Sequence, residues 1–369
     1  MKKRNLVLII LFVILFNTNV NAKEPYVPAR ASMAIDCDSK IVLFENNINE
    51  RIPIASTTKI ITIMVALKQG NLDDVYTISK KASSVKGSQV GYKQGEKVTL
   101  RELLYGLMLR SGNDAAVAIA EGVGGDYDNF IKMMNEYVDE LGMKNTHFES
   151  PHGLDSQEHY STAYELGLIT CYAKENEEFN KIVNTKEISQ DEYGFTRSYR
   201  NINKILFLMP EANGVKTGYT GNAGKCLVVS ADFNGKNIVI VLLNCQDRWN
   251  QAKKVYQYID ANYENKTIYK KDDVIYTKDI KNANTKLEVV AEKDINVLEH
   301  KEKNYQCKLF LDDNKLPISK GDVVGTLCIF SGDNILVSKE VKANNDVDYK
   351  SKIKKWYYNN LKKHLNEVF

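Results

Sequence analysis

Residues 226–245 read CLVVSADFNGKNIVIVLLNC. Two apolar runs, Cys226 to Ala231 and Ile238 to Leu243, flank Asn234-Gly235, the strongest short signal for a two-residue hairpin turn. A second hairpin opens the chain's folded part: Ala31 to Ile35 and Ile41 to Glu45, joined by Asp36 to Lys40. Helical patterns fill the interval between the two hairpins and follow the second. Strands joined by hairpins, with helices grouped between and after them, predict an α/β (α+β) fold in which helices sandwich an antiparallel sheet, not a doubly wound one.

The helices have legible ends. Ser56 to Gln69 carries Ile60, Ile61, Ile63, Met64, Val65, Ala66 and Leu67 around most of its circumference, so it belongs in the middle of a domain, and Gly70 ends it. Thr99 to Glu102 and Thr162 to Glu165 are capping-box patterns, starting helices that run toward Leu109 and Ala173. Others cover about Ala115 to Glu121, Phe130 to Leu141 and Trp249 to Asn262.

Composition bounds the function. The chain has 369 residues, 43% of them apolar and 26% charged, ordinary values for a folded protein. Its formal charge is +3, and Lys2, Lys3 and Arg4 account for all of it. A body without net charge gives no reason to expect nucleic acid as a partner. Those three residues precede an unbroken apolar stretch, Leu6 to Phe16, and then Val20-Asn21-Ala22. That is the layout of a signal peptide over residues 1–22, cleaved after Ala22. An anchor is the rival reading, but Leu6 to Phe16 spans only about half a bilayer's hydrocarbon core. The protein is therefore expected outside the cytoplasmic membrane.

The six cysteines are scattered, and a chain this long does not need staples, so buried free thiols are expected; Cys226 with Cys245, flanking the hairpin, is the one pair worth testing. No His/Cys pattern with ligand spacing appears, so neither a metal nor any other cofactor is expected.

After about Asn262 the composition turns to Lys, Asp and Asn, and short strand patterns recur: Lys286 to Ala291, Gln306 to Leu311, Val323 to Phe330, Ile335 to Val341. We read 23–262 as the catalytic domain and 263–345 as a small all-β C-terminal domain, a spacer or docking module. Residues 346–369 read as a basic amphipathic helix, with Ile353, Tyr357, Leu361, Leu365 and Val368 on one side, Trp356 beside them and many lysines elsewhere. Such a helix suits a membrane surface; the other reading packs it on the β-domain.

Three segments carry chemistry. Ser56 and Lys59 form a Ser-x-x-Lys at the start of the buried helix, where the helix dipole favours a developing anion and a spacing of three puts the amine beside the hydroxyl. A lysine in an apolar helix is desolvated, which depresses its pKa and suits it to act as a base. Alone the pattern is weak, because an N-capping serine followed by a solvated lysine looks the same. Ser111-Gly112-Asn113 lies between two helices and can present a hydroxyl and a carboxamide to a cleft, Ser111 relaying protons and Asn113 binding a substrate amide. Lys216-Thr217-Gly218 precedes the hairpin strands, offering a fixed charge, a hydroxyl for a carboxylate, and a glycine that admits close approach.

In this order the three segments resemble the Ser-x-x-Lys, Ser-x-Asn, Lys-Thr-Gly set of penicillin-recognising serine enzymes. Ile54 to Lys59, Leu109 to Ala116, Leu141 to Met143 with Thr146 to Phe148, and Ser150 to Asp155 are similar to the D-alanyl-D-alanine carboxypeptidases, the low-molecular-mass penicillin-binding proteins. The resemblance covers about Ala31 to Ala261 and implies a β-lactamase/DD-peptidase-like fold. It implies that Ser56 attacks the carbonyl between two D-alanines of a peptidoglycan stem peptide while Lys59 takes its proton. The backbone N–H groups of Ser56 and Tyr219 would hold the oxyanion, each donor worth roughly 3 kcal/mol of barrier. Arg248 matches an arginine that helps hold the terminal carboxylate, and β-lactams would acylate the same serine as covalent inhibitors. Ser150 stands where the family usually has Asn, and His152 reads as a turn residue. A class A β-lactamase shares the motifs but typically has Asp where Gly112 stands and needs no β-domain. A wall-binding, penicillin-sensing protein without turnover is the non-enzymatic alternative.

Overall fold

The structure, a computed structural model, describes residues 23–301, 305–312, 316–331, 334–351 and 356. The expected signal peptide and nearly all of the expected terminal helix lie outside the described residues; Trp356 is described and is exposed.

The elements run in this order: β1 (Ala29–Asp36), β2 (Val42–Asn46), α1 (Lys59–Gln69), β3 (Val75–Thr77), α2 (Lys80–Ser84), β4 (Lys97–Thr99), α3 (Leu100–Leu109), α4 (Asn113–Val123) and α5 (Tyr127–Glu140). There follow α6 (Ala163–Ala173), α7 (Glu177–Asn184), β5 (Glu187–Ile188), β6 (Tyr199–Arg200), α8 (Ile205–Leu208), β7 (Ala212–Thr220), β8 (Gly224–Phe233), β9 (Lys236–Cys245) and α9 (Arg248–Asn262). The main sheet has the order β2-β1-β9-β8-β7, antiparallel throughout. Asn234 and Gly235 both adopt positive φ (52° and 81°), as a hairpin turn of this length demands.

Each strand of the meander is apolar on both sides because both faces of the sheet are covered. On β9, Val239, Val241 and Leu243 join a core with α1, α3, α4 and α6, while Ile238, Ile240 and Leu242 join a second core with α8 and α9. Helix α1 lies inside the first core with Ile60, Ile61, Ile63, Met64, Val65 and Ala66 all buried. Burying side chains of this size stabilises the fold by about 1.5–3 kcal/mol each. Two polar side chains are buried among them: Thr62, whose hydroxyl donates to the Pro151 carbonyl at 2.6 Å, and Lys59.

The two capping boxes form only halfway. Thr99 and Thr162 accept from the N–H groups of Glu102 and Glu165. The glutamates, however, turn to distant partners: Glu102 accepts from Thr196 and from the Tyr199 hydroxyl at 2.6 Å, and Glu165 from Asn145 and Thr146.

The free-thiol expectation fails at one pair. Cys37, just after β1, and Cys171, in α6, form a disulfide, with Cα atoms 4.9 Å apart. Cys226 and Cys245 stay unpaired. Asn244 adopts φ 50°, which breaks the alternation of β9. Cys245 thereby joins the core beneath α9 while Cys226 faces the helical core on the other side of the sheet.

The strands described past α9 are β10 (Tyr263–Tyr269), β11 (Val274–Lys278), β12 (Leu287–Ala291), β13 (Ile295–His300), β14 (Tyr305–Leu311), β15 (Val323–Ser331) and β16 (Asn334–Ala343). β10 pairs with β13, and the rest form a sheet ordered β11-β12-β16-β15-β14 around a third core that includes Leu287, Val297, Leu327, Ile329 and Val341. The sequence reading does not mark β10, β11 or β13; polar residues dilute the pattern of β10 (YENKTIY), whereas β11 (VIYTK) carries strand-favouring residues in a run of only five.

The disulfide closes a loop of 134 residues. Replacing both cysteines by alanine should lower unfolding stability by roughly 2–4 kcal/mol. Denaturant melts of the variant and the oxidised parent measure this, and coincident curves would show that the bond contributes nothing.

Candidate active site

The first component is a strained turn. Ala55 has φ 50°, uncommon for a residue with a Cβ, and opens a 3₁₀ turn, Ala55–Thr58, that runs into α1. Thr57 and Thr58 brace it through their hydroxyls, donating to the carbonyls of Ile54 at 2.6 Å and Ala55 at 2.8 Å. Ser56 is thus within a turn and caps no helix, contrary to the simplest alternative for a serine here. Its hydroxyl faces the Lys59 amine, 2.9 Å away, and donates weakly to the His152 carbonyl at 3.4 Å.

Lys59 is 0% exposed. Besides Ser56, its Nζ reaches two oxygen acceptors, Asn113 Oδ1 at 2.8 Å and the His152 carbonyl at 2.9 Å. Its pKa lies well below the ordinary lysine value, first because of burial and second because of the Lys216 charge, against a smaller opposing effect of Asp114.

The second motif sits where α3 gives way to α4. Ser111 takes φ 58° and is buried, and its hydroxyl accepts from Lys216 Nζ at 2.9 Å. Asn113 opens α4 and is held at both ends of its carboxamide, by Lys59 and by the carbonyl of Lys86, to which its Nδ2 donates at 2.7 Å. Asp114 accepts from the N–H groups of Val90, Gly91 and Tyr92, fastening that loop to the motif.

The third motif lies on β7. Lys216 is 1% exposed and donates to Ser111 and to the Thr217 carbonyl. Burial, and then the Arg248 charge, bring its pKa down to about 7. Gly218 permits the strand to touch the serine turn, because a Cβ there would lie 3.0 Å from Ala55 Cβ and 3.1 Å from Ser56 N. Thr217 is buried beside it, and the Tyr219 side chain is exposed. Arg248 donates through Nη1 to the carbonyls of Gly218 at 2.7 Å and Cys226 at 2.9 Å, so it ties β7 to β8 at the edge of the cleft.

Ser56, Lys59, Ser111, Asn113, Lys216, Thr217 and Gly218 therefore converge on one cleft. Sequence reasoning missed three contributors. The His152 carbonyl holds Lys59, while the His152 ring does what a turn residue does, Nδ1 accepting from the Leu154 N–H at 3.3 Å. Burial first, then Lys59, pushes that ring's pKa down to about 3, so it stays neutral. Asp114 is the second. Asp155 is the third, accepting from Thr220 Oγ1 at 2.6 Å and from the Asn222 N–H at 3.2 Å, which fastens the His152 loop to the end of β7. A backbone carbonyl leaves no trace in residue type, but Gly153 gave a signal. It takes φ 81°, and a Cβ on it would run into the Ala55 carbonyl.

An antiparallel sheet packed between helical layers, with a serine–lysine pair facing a lysine on the edge strand, defines the class of penicillin-recognising serine enzymes. Comparison with known proteins narrows this. Residues 18–247 match the family model described as D-alanyl-D-alanine carboxypeptidase, and residues 263–349 match the penicillin-binding protein 5 C-terminal domain. The D-alanyl-D-alanine carboxypeptidase DacF of Bacillus subtilis is 33% identical over 86% of this chain and 86% of its own. Penicillin binding protein 5 of Haemophilus influenzae superposes with a TM-score of 0.75 at 29% identity, covering 89% of this chain and 99% of that one. A variant of the Streptomyces K15 DD-transpeptidase gives 0.60 at 35% identity, over 63% of this chain and 98% of its own. The chain belongs to the D-alanyl-D-alanine carboxypeptidase family. It is a serine-type D-alanyl-D-alanine carboxypeptidase, a hydrolase acting on peptides that end in D-alanyl-D-alanine.

The Gly153 geometry yields a test. Gly153→Ala should displace the loop carrying the His152 carbonyl and cut D-alanine release about 100-fold or more, as misplacement of a catalytic group by about 1 Å does. Near-native melting with full activity would show that this contact does not matter.

Proposed function

We propose that Ser56 is the nucleophile and Lys59 its base, in a two-step transfer that removes the terminal D-alanine from peptidoglycan stem pentapeptides. The observation that carries this reading is the fully buried Lys59 amine 2.9 Å from the Ser56 hydroxyl. A neutral amine has two N–H bonds and one lone pair. With the N–H bonds given to Asn113 Oδ1 and the His152 carbonyl, the lone pair is left for the Ser56 proton. Attack forms the bond from Ser56 Oγ to the carbonyl carbon of the penultimate D-alanine, and the Ser56 proton passes to Lys59. The oxyanion sits between the N–H groups of Ser56 and Tyr219, which the contact of Gly218 with the serine turn brings to one side of the cleft.

Collapse breaks the C–N bond, and the proton that Lys59 took from Ser56 passes through Ser111, which Lys216 holds, to the leaving amine, so that Lys59 is neutral again. Water then cleaves the ester, its proton going to Lys59 and returning to Ser56. The substrate's carboxylate lies against Lys216 and Thr217, with Arg248 shaping that end through its hold on Gly218. Asn113, while holding Lys59, offers its carboxamide to the substrate amide. A β-lactam carbonyl offered to the same serine is acylated in the same way. Gly112 in the middle of the second motif, together with the β-strand region after α9, favours this reading over a class A β-lactamase.

The same reading places the enzyme outside the cytoplasmic membrane, with residues 23–262 as the catalytic domain and 263–345 as a β-domain that spaces it from the surface. Residues 346–369 would lie on the membrane as a basic amphipathic helix. Among the described residues no helix is long and apolar enough to cross a membrane. Comparing membrane recovery of the chain with and without residues 346–369 tests this; equal recovery would count against it.

The pH dependence follows from the two lysines. Lys59 works unprotonated and its pKa is depressed, so activity is lost as pH falls through that value. Lys216 works as an ammonium, so activity is lost as pH rises through its pKa, about 7 before the substrate carboxylate raises it. kcat/KM should be bell-shaped, with no limb from His152, which is already neutral. Lys216→Arg should move only the alkaline limb upward. Lys59→Ala should abolish acylation while the melting temperature is retained, and normal labelling by fluorescent penicillin would refute the base assignment.

A further inference from the structure

A cavity of about 360 Å³ lies where the sheet-and-helix body meets the β-strands that follow α9. Its sheet wall is the end of the ladder at which Asp36 pairs with Ile238, Ile238 with Ala231, and Ala231 with Ala212. Along β7 that row is four residues from Lys216, roughly 13 Å, so the cavity is separate from the catalytic cleft. Lys174 and Lys236 line it from one body, Asp294, Asn296 and Lys339 from the other.

Most of the charges there are matched. Lys236 has Asp38 at 3.0 Å and Glu175 has Lys40 at 3.4 Å, while Asp294 accepts from a neutral group, the Lys271 backbone N–H, at 2.7 Å. Lys174 is different. It is only 9% exposed, and no carboxylate among the described residues lies within 4 Å of its ammonium. Among the described residues its one side-chain bond goes to a neutral oxygen, Asn213 Oδ1, at 3.1 Å. That oxygen already accepts from Ser230 Oγ at 2.6 Å, and the Asn213 amide is turned to Asn237. Burial alone draws the Lys174 pKa down to about 8, with no acid opposing it. Lys339, exposed on the opposite wall, likewise has no carboxylate partner among the described residues.

Buried ammonium groups persist in proteins when an anion answers them. Here the unanswered charge borders a space large enough for a small molecule. We propose that this cavity is a binding site for a compact oxyanion, a phosphate or carboxylate group, held between Lys174 and Lys339. Such a ligand would bridge the two bodies at a point remote from catalysis, and the proposal stands independently of the roles assigned to Ser56 and Lys59.

Titration calorimetry of the full chain with inorganic phosphate, and separately with acetate, tests it. Saturable one-site binding of at least one anion is expected. The dissociation constant should rise tenfold or more in Lys174→Met and several-fold in Lys339→Met, with D-alanine release unchanged in both. Phosphate alone would identify a phosphate-bearing ligand, acetate alone a carboxylate, and both any small oxyanion. Lys339 is exposed, so its variant reports even if Lys174→Met folds poorly. No saturable heat with either anion, or undiminished affinity in the variants, overturns the proposal.

Discussion

A lysine amine held in a place where water cannot reach it is the constraint on which the rest of this structure depends. Lys59 sits at the start of a helix otherwise surrounded by isoleucine, methionine and valine. Desolvation of that kind costs several kcal/mol for an ion, and the cheapest relief is loss of the proton. The neighbouring Lys216 pushes in the same direction. The large apolar core around α1 is thus part of the chemistry, since it turns an ordinary ammonium into an amine able to accept a proton.

Keeping that amine aimed requires backbone in unfavourable shapes. Ala55 and Ser111 hold positive φ, and Gly153 does so where no side chain would fit. For Ala55 and Ser111, which carry a Cβ, such a conformation costs of order 1–3 kcal/mol each, whereas Gly153 adopts it freely. The three surround the cleft from different segments: the turn before α1, the junction of α3 with α4, and the loop before α6. Asp114 holds the Val90–Tyr92 backbone against the α3–α4 junction, and Asp155 holds the loop before α6 against the end of β7. Several segments are tied together around the cleft: Lys59 joins α1 to the start of α4 and to the loop before α6, and Asp155 joins that loop to the end of β7 at the sheet edge.

Much of this could be read in advance, and the parts that could not share a physical reason. The hairpin around Asn234-Gly235, the threonine caps and the buried α1 are local patterns, and they fold as their residues demand. Ser56 with Lys59 was ambiguous until two further triplets stood in the same order, because a spacing of three occurs by chance. Unreadable were contacts that residue type does not encode. The His152 carbonyl looks like any other, Glu102 spends its carboxylate on Tyr199 instead of its own helix, and Cys37 meets Cys171 only after the intervening segments have packed. Asn244 reverses the facing of Cys245 through one dihedral angle, which parity along the strand cannot anticipate.

The account stands on one hydroxyl being made reactive by one dehydrated amine. Peptide mapping by mass spectrometry, after brief exposure of the enzyme to benzylpenicillin, examines this most directly. A single penicilloyl group on the peptide containing Ser56, absent from Ser56→Ala, is the predicted result. An adduct on Ser111 or any other residue, or an undiminished adduct in the variant, would contradict it.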